Sequence, residues 1–408
     1  MLNKFNQISK IALPAVLLIT LLLSSGCENA AKILSGELTK FTPSEADQKT
    51  LQNLPPEFLI LSQAWQIVQR DYVDKTKLDP VKMAQGAVRG MVEAIGDPYT
   101  AYMSPEAHKM ELSSLTGHYQ GIGAYIGKKD KLIVITAPMP GSPAEKAGLI
   151  SGDAILKIDG ESTELMSATE AALKIQGPAG TPVKLTIGRA DVPEPFEKEI
   201  IRAEIKVASI TSEMKGDLAY IKIQQFVDST SEDFKTALSE TMDKGAKGVI
   251  LDLRNNPGGL LDQAIDISSQ FLLRGIVVKV VDSQGGEHPY MVKPGGIAKD
   301  IPVIVLVNGG SASASEVVAG ALQANGRAKL AGTKTFGKGS VQMIRNMDDG
   351  SAIHVTVAKF YTPTGQVIDG VGLTPDFVLE NLKDDELVKW AEDYLNKLIT
   401  ADLEPSAA

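Results

Sequence analysis

Apolar residues fall at helical spacing twice near the start of the chain, first at Ile60, Ala64, Ile67 and Val68 and then at Met83, Ala87, Gly90, Met91 and Ala94. Gly96-Asp97-Pro98 stops the second run. This predicts a helical entry segment over 51–103, suited to folding or to dimer contacts. Over 104–205 the texture changes to short strands and glycine turns: Gly121-Ile122-Gly123-Ala124-Tyr125-Ile126, the apolar run 132–135, a short helix opened by Pro143 and closed by Gly148, and a strand at 154–158 running into Asp159-Gly160. From about 217 strand and helix alternate. The strand at 218–223 precedes a helix with Phe234, Leu238 and Met242 on one face, and the strand at 248–253 precedes a helix bearing Leu261, Ile265 and Leu272. The runs 276–281 and 301–307 are almost continuously apolar, which predicts strands of a sheet covered on both faces. Two further strands, 341–347 and 353–361, are joined by Asp348-Asp349-Gly350, and Leu387, Trp390, Ala391 and Leu395 mark a closing amphipathic helix within 381–408.

At 408 residues the chain is too long for one ordinary domain. A net charge of −9 with no basic block carries no electrostatic footprint for nucleic acid. Four scattered histidines and a single cysteine argue against a metal cluster or a disulfide framework. The first 27 residues read as an export signal. Lys4 and Lys10 form a positive n-region, and the apolar run 11–23 is short for a bilayer span. The run ends at Ser24-Ser25-Gly26-Cys27, so Cys27 stands where a lipoprotein signal places its lipidated residue. A cleaved signal and an uncleaved anchor are the alternatives. Residues 28–50, small and polar, read as a tether, and each alternative expects the rest of the chain to work outside the cytoplasm, membrane-tethered at the cell envelope or periplasmic or secreted.

The chemistry concentrates at two loops. Val305-Leu306-Val307-Asn308-Gly309-Gly310-Ser311-Ala312-Ser313-Ala314-Ser315-Glu316 runs from a buried strand through small residues into a helix. A serine at such a junction projects from a tight turn beside the positive end of a helix, as a nucleophile requires. Taken singly, each of these serines is better read as a helix cap. Lys338, in Thr335-Phe336-Gly337-Lys338-Gly339-Ser340-Val341-Gln342, supplies what a capping serine does not need, a base. A lysine serves as a base near neutrality only if burial depresses its pKa, and Phe336, Val341 and two glycines suit a partly dry pocket. Gln342 shares a strand face with Lys338 in this reading and is placed to hydrogen-bond it without adding charge. The segment 332–339 nearly matches a phosphate-binding loop, but Gly339 replaces the hydroxyl that would hold magnesium, and a strand follows in place of a helix.

Together, 308–316 and 335–342 resemble the C-terminal processing peptidase (tail-specific protease) family. Asp97-Pro98-Tyr99-Thr100-Ala101-Tyr102, Leu251-Asp252-Leu253-Arg254-Asn255-Asn256-Pro257-Gly258-Gly259 and Tyr361-Thr362-Pro363-Thr364-Gly365 support the resemblance. Residues 104–205 resemble a PDZ domain. The fold implied is multidomain α+β and α/β: an N-terminal helical segment, a PDZ-like β-rich domain, and a Clp protease/crotonase-like α/β serine peptidase core over 206–380. The resemblance implies Ser313 as nucleophile, Lys338 as base, Gln342 and Glu316 as supporting residues, and no cofactor or metal. Glu316 has an equally good reading as a first-turn carboxylate favoured by the helix dipole. The oxyanion site falls to the backbone N–H groups of Ala314 and Gly259. In the PDZ part, Gly121, Ile122 and Gly123 form the loop expected to receive a protein tail's carboxylate, with Ile122 or Tyr125 toward the pocket, although the glycines also suit a plain tight turn. Gln176 stands where many family members carry an arginine that couples tail docking to the active site. The expected activity is serine endopeptidase cleavage of exported proteins near their C-termini. A catalytically silent envelope PDZ scaffold is the competing reading.

Overall fold

The structure, a computed structural model, describes residues 54–403 apart from 130, 131, 165, 167 and 207. The expected signal over 1–27, Cys27 and the whole tether over 28–50 therefore lie outside the described residues.

Two helices open the described chain, α1 (Leu59–Asp71) and α2 (Pro80–Glu93). The α2 start is dictated locally: Pro80 sits at the first turn, where a missing N–H costs nothing, and the Asp79 carboxylate accepts from Val81 and Lys82 N–H. Their apolar residues do not form a core. Val92 is buried, whereas Ile60, Ile67 and Val81 are exposed. A short strand β1 (Ala101–Met103) follows, then helix α3 (Pro105–Leu115). This helix replaces the strands expected just after 104.

The second unit contains β2 (His118–Gly121), β3 (Ala124–Lys129), β4 (Leu132–Pro138), α4 (Pro143–Lys146), β5 (Ala154–Ile158), β6 (Glu161–Ser162), α5 (Ala168–Ile175), β7 (Pro182–Arg189), β8 (Val192–Ile201) and β9 (Ala203–Lys206). Its sheet runs β3-β4-β5-β7-β8 with β6 beside β5, and β2 pairs with β9. Strand alternation builds the core: Val183, Leu185 and Ile187 all point inward onto Ile133, Ile135 and Ile155. Each such side chain contributes about 1.5–3 kcal/mol on burial. Among the described residues strand β3 pairs only with β4, leaving its other edge open toward α5.

The third unit holds β10 (Ile210–Lys215), β11 (Leu218–Ile223), α6 (Thr230–Asp243), β12 (Gly248–Asp252), α7 (Leu261–Phe271), β13 (Ile276–Asp282), β14 (Glu287–Met291), β15 (Val303–Val307), α8 (Ala314–Ala324), β16 (Lys329–Gly332), β17 (Ser340–Asn346), β18 (Ala352–Tyr361), β19 (Phe377–Val378) and α9 (Asp384–Leu403). The main sheet, β10-β11-β12-β15-β16-β19, is parallel from β11 onward. Val303, Val305 and Val307 face α6, α7 and α8, while Ile304 and Leu306 face Leu387, Ala391 and Leu395 of α9. Two covered faces explain the unbroken apolar run. The other such run behaves differently. Strand β13 belongs to a separate antiparallel sheet, β1-β18-β13-β14, with β17 beside β18; Val277, Val278 and Val280 are buried, but Ile276, Lys279, Val281 and Asp282 are only partly so. Arg254 fastens α9 to the sheet: its guanidinium binds the buried Asp252 at 2.6 Å and reaches Asp384 at 3.0 Å. The Tyr220 hydroxyl donates to the same Asp252 at 2.6 Å.

Candidate active site

Ser313 ends the loop between β15 and α8 with φ 55° and ψ −114°, a conformation L-residues avoid. Such a turn stores about 1–3 kcal/mol and must be held by its surroundings. Three contacts to the loop after β12 do so. Ala312 N–H and the Ser315 hydroxyl both donate to the Asn256 carbonyl, at 3.0 and 2.9 Å, and the Ser311 hydroxyl donates to the Leu253 carbonyl at 2.8 Å. Gly258 packs directly on the turn. A Cβ there would lie 2.8 Å from both the Ala312 oxygen and Ser313 Cβ and 3.0 Å from the Ala314 nitrogen.

The same contact arranges the amide groups. Asn256 Oδ1 accepts the Gly258 N–H at 2.9 Å. Phe226 brackets Gly259 by a parallel bridge, donating to the Gly258 carbonyl and accepting from Leu260 N–H, which turns the Gly259 N–H away from this pairing. Among the described residues neither Gly259 N–H nor Ala314 N–H has an acceptor. The first belongs to a loop and the second to the first turn of a helix, where N–H groups are free by construction.

Glu316 lies one turn into α8, wholly buried. Its Oε2 accepts from Ser313 N–H at 3.0 Å and from Lys338 N–H at 2.9 Å, while Oε1 accepts from the Thr335 hydroxyl at 2.5 Å and Gly337 N–H at 2.8 Å. One carboxylate thus ties the serine turn to the lysine loop. Burial lifts its pKa above the ordinary carboxylate value, and these four donors oppose that shift. Its Oε2 binds the Lys338 backbone, and among the described residues no ion pair joins Glu316 to the Lys338 ammonium. Three amide groups and the Thr335 hydroxyl occupy the carboxylate instead.

Lys338 lies in the loop before β17, half-buried, with its Nζ 5.3 Å from the centre of the Tyr99 ring. Burial pushes its pKa below the free-lysine value, against the smaller opposing pull of the Glu111 carboxylate on α3. No hydrogen bond joins Lys338 Nζ to Ser313 Oγ among the described residues. Gln342 is not bonded to the lysine either: its amide donates to the Ser340 hydroxyl at 2.8 Å and to Thr356 at 3.3 Å. The expected alternation fails because the strand starts at Ser340 and its register shifts between Val341 and Gln342.

Several participants went unassigned in the sequence. Tyr99 was visible only as part of Asp97-Pro98-Tyr99-Thr100. Its segment is pinned by Asp97, which accepts from Tyr99 N–H and the Thr100 hydroxyl, and Thr100 in turn accepts from Thr356 N–H. Thr335 and Asn256 stood inside quoted motifs without a role, and Glu111 carried no signal, because their roles depend on partners far away in the chain.

In the second unit a cleft of ≈ 440 Å³ runs along the open edge of β3, between it and α5. Ile122, Gly123, Tyr125 and Gln176 line it; Gly121 does not, being paired with Ala203. Ile122 is buried and Tyr125 lies at the exposed rim. The far wall is made by Gln224, Gln225 and Val227 of the third unit. This segment also contains Phe226, which lies between the cleft-lining Gln225 and Val227 and brackets Gly259.

The chain matches three family models: Peptidase family S41 over residues 217–379, PDZ domain over 134–189, and the Activating protease CtpB N-terminal domain over 27–107. It is 40% identical over 334 residues to a carboxy-terminal-processing protease of Bartonella bacilliformis, covering 81% of this chain and 76% of that protein. It is 38% identical over 352 residues to the carboxy-terminal processing protease CtpA of Bacillus subtilis, covering 85% and 75% respectively. Among solved structures, the photosystem II D1 C-terminal processing protease matches with TM-score 0.50 and 31% identity, covering 80% of this chain and 94% of that one. Sequence relatives and fold agree, and the chain belongs to peptidase family S41, the carboxy-terminal processing serine proteases.

Proposed function

We propose that the chain cleaves unstructured protein tails by a Ser313–Lys338 dyad after its PDZ cleft has captured the C-terminus. The observation that carries this is Glu316 Oε2, a single atom accepting from the backbone N–H of both Ser313 and Lys338. The carboxylate holds the two loops together while leaving the lysine amine free of an ion pair. In this reading the Lys338 side chain swings from the Tyr99 ring to the Ser313 hydroxyl. The neutral amine takes the hydroxyl proton as Ser313 Oγ attacks the scissile carbonyl. The N–H groups of Ala314 and Gly259 then receive the oxyanion. Lys338 returns the proton to the departing amine, and a water activated by the same amine releases the acyl-enzyme.

The tail lies as an added strand on β3, its carboxylate at the 121–124 loop. With Gln176 in place of an arginine, the route from tail to active site runs through Gln224–Val227 to Gly259 in this reading. Turnover of an unstructured protein such as casein by the intact chain tests the dyad. Ser313→Ala and Lys338→Arg should each abolish cleavage, because a guanidinium stays protonated at neutral pH. Substantial turnover by Lys338→Arg sinks the dyad.

The reading also places the protein at the cell envelope outside the cytoplasm, held by a lipid on Cys27. Loss of lipid labelling in Cys27→Ser tests this, and unchanged labelling refutes it. The exposed apolar residues of α1 and α2 fit a second copy of the chain. Sedimentation showing a monomer at micromolar concentration would refute the dimer.

A further inference from the structure

The pairing of the neighbouring parallel strands β12 and β15 closes just before the site. Asp252 is level with Leu306, and Leu253 N–H donates to the Leu306 carbonyl at 2.9 Å. Beyond this point one chain becomes the loop carrying Gly258 and Gly259, and the other becomes the loop carrying Ser313. A side-chain amide bridges them there. Asn308 Oδ1 accepts the Asn255 backbone N–H at 3.0 Å, and Asn308 Nδ2 donates to Asn255 Oδ1, also at 3.0 Å. The same Oδ1 accepts from Gly310 N–H at 2.9 Å, and Asn308 N–H donates to the Ser311 hydroxyl at 3.0 Å. The loops touch closely: a Cβ on Gly310 would lie 2.9 Å from Asn255 Cα and 3.0 Å from Asn255 Oδ1. Two plainer roles explain only part of this. An Asx-turn accounts for the bond from Gly310 to Asn308, and a left-handed φ of 60° accounts for an asparagine at 255. Neither requires the two side chains, 53 positions apart, to bond each other.

We infer that Asn255 and Asn308 form an amide clasp that sets the Gly258–Gly259 loop at its distance from Ser313, which makes both of them positioning residues for the peptidase. The clasp lies at the solvent boundary: Asn255 is exposed and Asn308 partly so. Water can replace bonds in such a place at little net cost, so the clasp adds little to the stability of the fold. What it restricts is the relative placement of two loops. One carries the attacking hydroxyl, the other an amide of the oxyanion site, and turnover depends steeply on the geometry between them. Glu316 acts on the other side of Ser313, toward the Lys338 loop, so the two contacts fix the serine turn against different partners.

The inference rests on the reading of Ser313 as nucleophile and of Gly259 N–H as oxyanion donor, and Ser313→Ala is measured alongside to keep the two failures apart. Casein turnover and urea unfolding are followed on the intact chain carrying Asn308→Leu, Asn308→Asp, Asn255→Gly, or Asn255→Gly with Asn308→Leu. Leucine matches the shape of asparagine without its polar atoms, so kcat should fall about 10- to 100-fold, with KM within about twofold and the unfolding midpoint unchanged. Aspartate keeps both acceptor bonds and can pair with a turned Asn255 amide, so Asn308→Asp should hold kcat within about threefold of the parent. Asn255→Gly keeps the left-handed backbone and its N–H, and it should lower kcat about 3- to 10-fold in the parent. In the Asn308→Leu background it should cost nothing further, since a single clasp is lost only once. Parental kcat in Asn308→Leu overturns the clasp. So does a fall in kcat that comes with a lower midpoint or is not restored in Asn308→Asp, which makes Asn308 a folding residue, and so do losses that multiply in the double variant. If Ser313→Ala and the parent turn over casein equally, the nucleophile reading fails and the clasp with it.

Discussion

Replacing Glu316 by glutamine removes one charge and one acceptor from a position where four donors converge. The most favourable placement puts the amide oxygen where Oε2 stands, keeping the N–H groups of Ser313 and Lys338. The new NH2 then faces the Thr335 hydroxyl and Gly337 N–H. The hydroxyl can turn and accept, since it retains a lone pair while accepting from Leu373 N–H. The Gly337 N–H cannot, and it is left buried and unpaired, which costs about 1–3 kcal/mol. The two retained bonds also lose their charge assistance, so a total of about 2–4 kcal/mol is expected. That loss falls on the contact joining the two loops, and a shift of about 1 Å between reacting groups lowers turnover about 10²-fold. Urea unfolding of the intact chain should show a lower midpoint at unchanged slope. Casein turnover should show kcat reduced about 10²-fold with KM nearly constant, because the tail cleft is untouched. A Glu316→Gln protein with wild-type midpoint and kcat would refute the stapling role. A change confined to KM would refute it equally, by moving Glu316 from positioning to binding.

Two further outcomes follow from the site. Gly258→Ala places a methyl group 3.0 Å from the Ala314 nitrogen at φ +104°, so kcat should fall at least about 10²-fold. Gly180→Ala is the control, with φ +84° but nothing within 4 Å, and it should lose stability by about 1–2 kcal/mol without changing kcat; equal kcat in the two variants would remove Gly258 from the site. Glu111→Gln removes the carboxylate that raises the Lys338 pKa. Activity requires the neutral amine and rises with pH through that pKa, so a lower pKa moves the acidic limb of kcat/KM to lower pH. A limb that stays in place or moves upward contradicts the assignment of Lys338 as base.

What the sequence determined by itself is the local part of this protein. Serine in a small-residue turn between an apolar strand and an apolar helix already specifies an elbow, and alternating apolar positions such as Val183, Leu185 and Ile187 already specify a strand with one buried face. These are short-range consequences of backbone sterics and side-chain period, so they survive being read without neighbours. The tertiary structure decided everything that depends on which surface meets which. β13 and β15 are equally apolar on paper, yet only β15 lies between two helical layers. Glu316 was legible as a first-turn carboxylate, but its partners Thr335, Gly337 and Lys338 come from another loop, and the fold makes that carboxylate a clasp between the two loops. Gly258 and Gly259 are indistinguishable in sequence, and it is the pairing of Phe226 and the side chain of Asn256 that leave one N–H free and engage the other. The ring beneath Lys338 comes from Tyr99, on the far side of the whole second unit in chain order. Hydrogen bonds and cation–ring contacts are directional and short-ranged, so their existence is settled only when the chain has brought distant segments within a few ångströms.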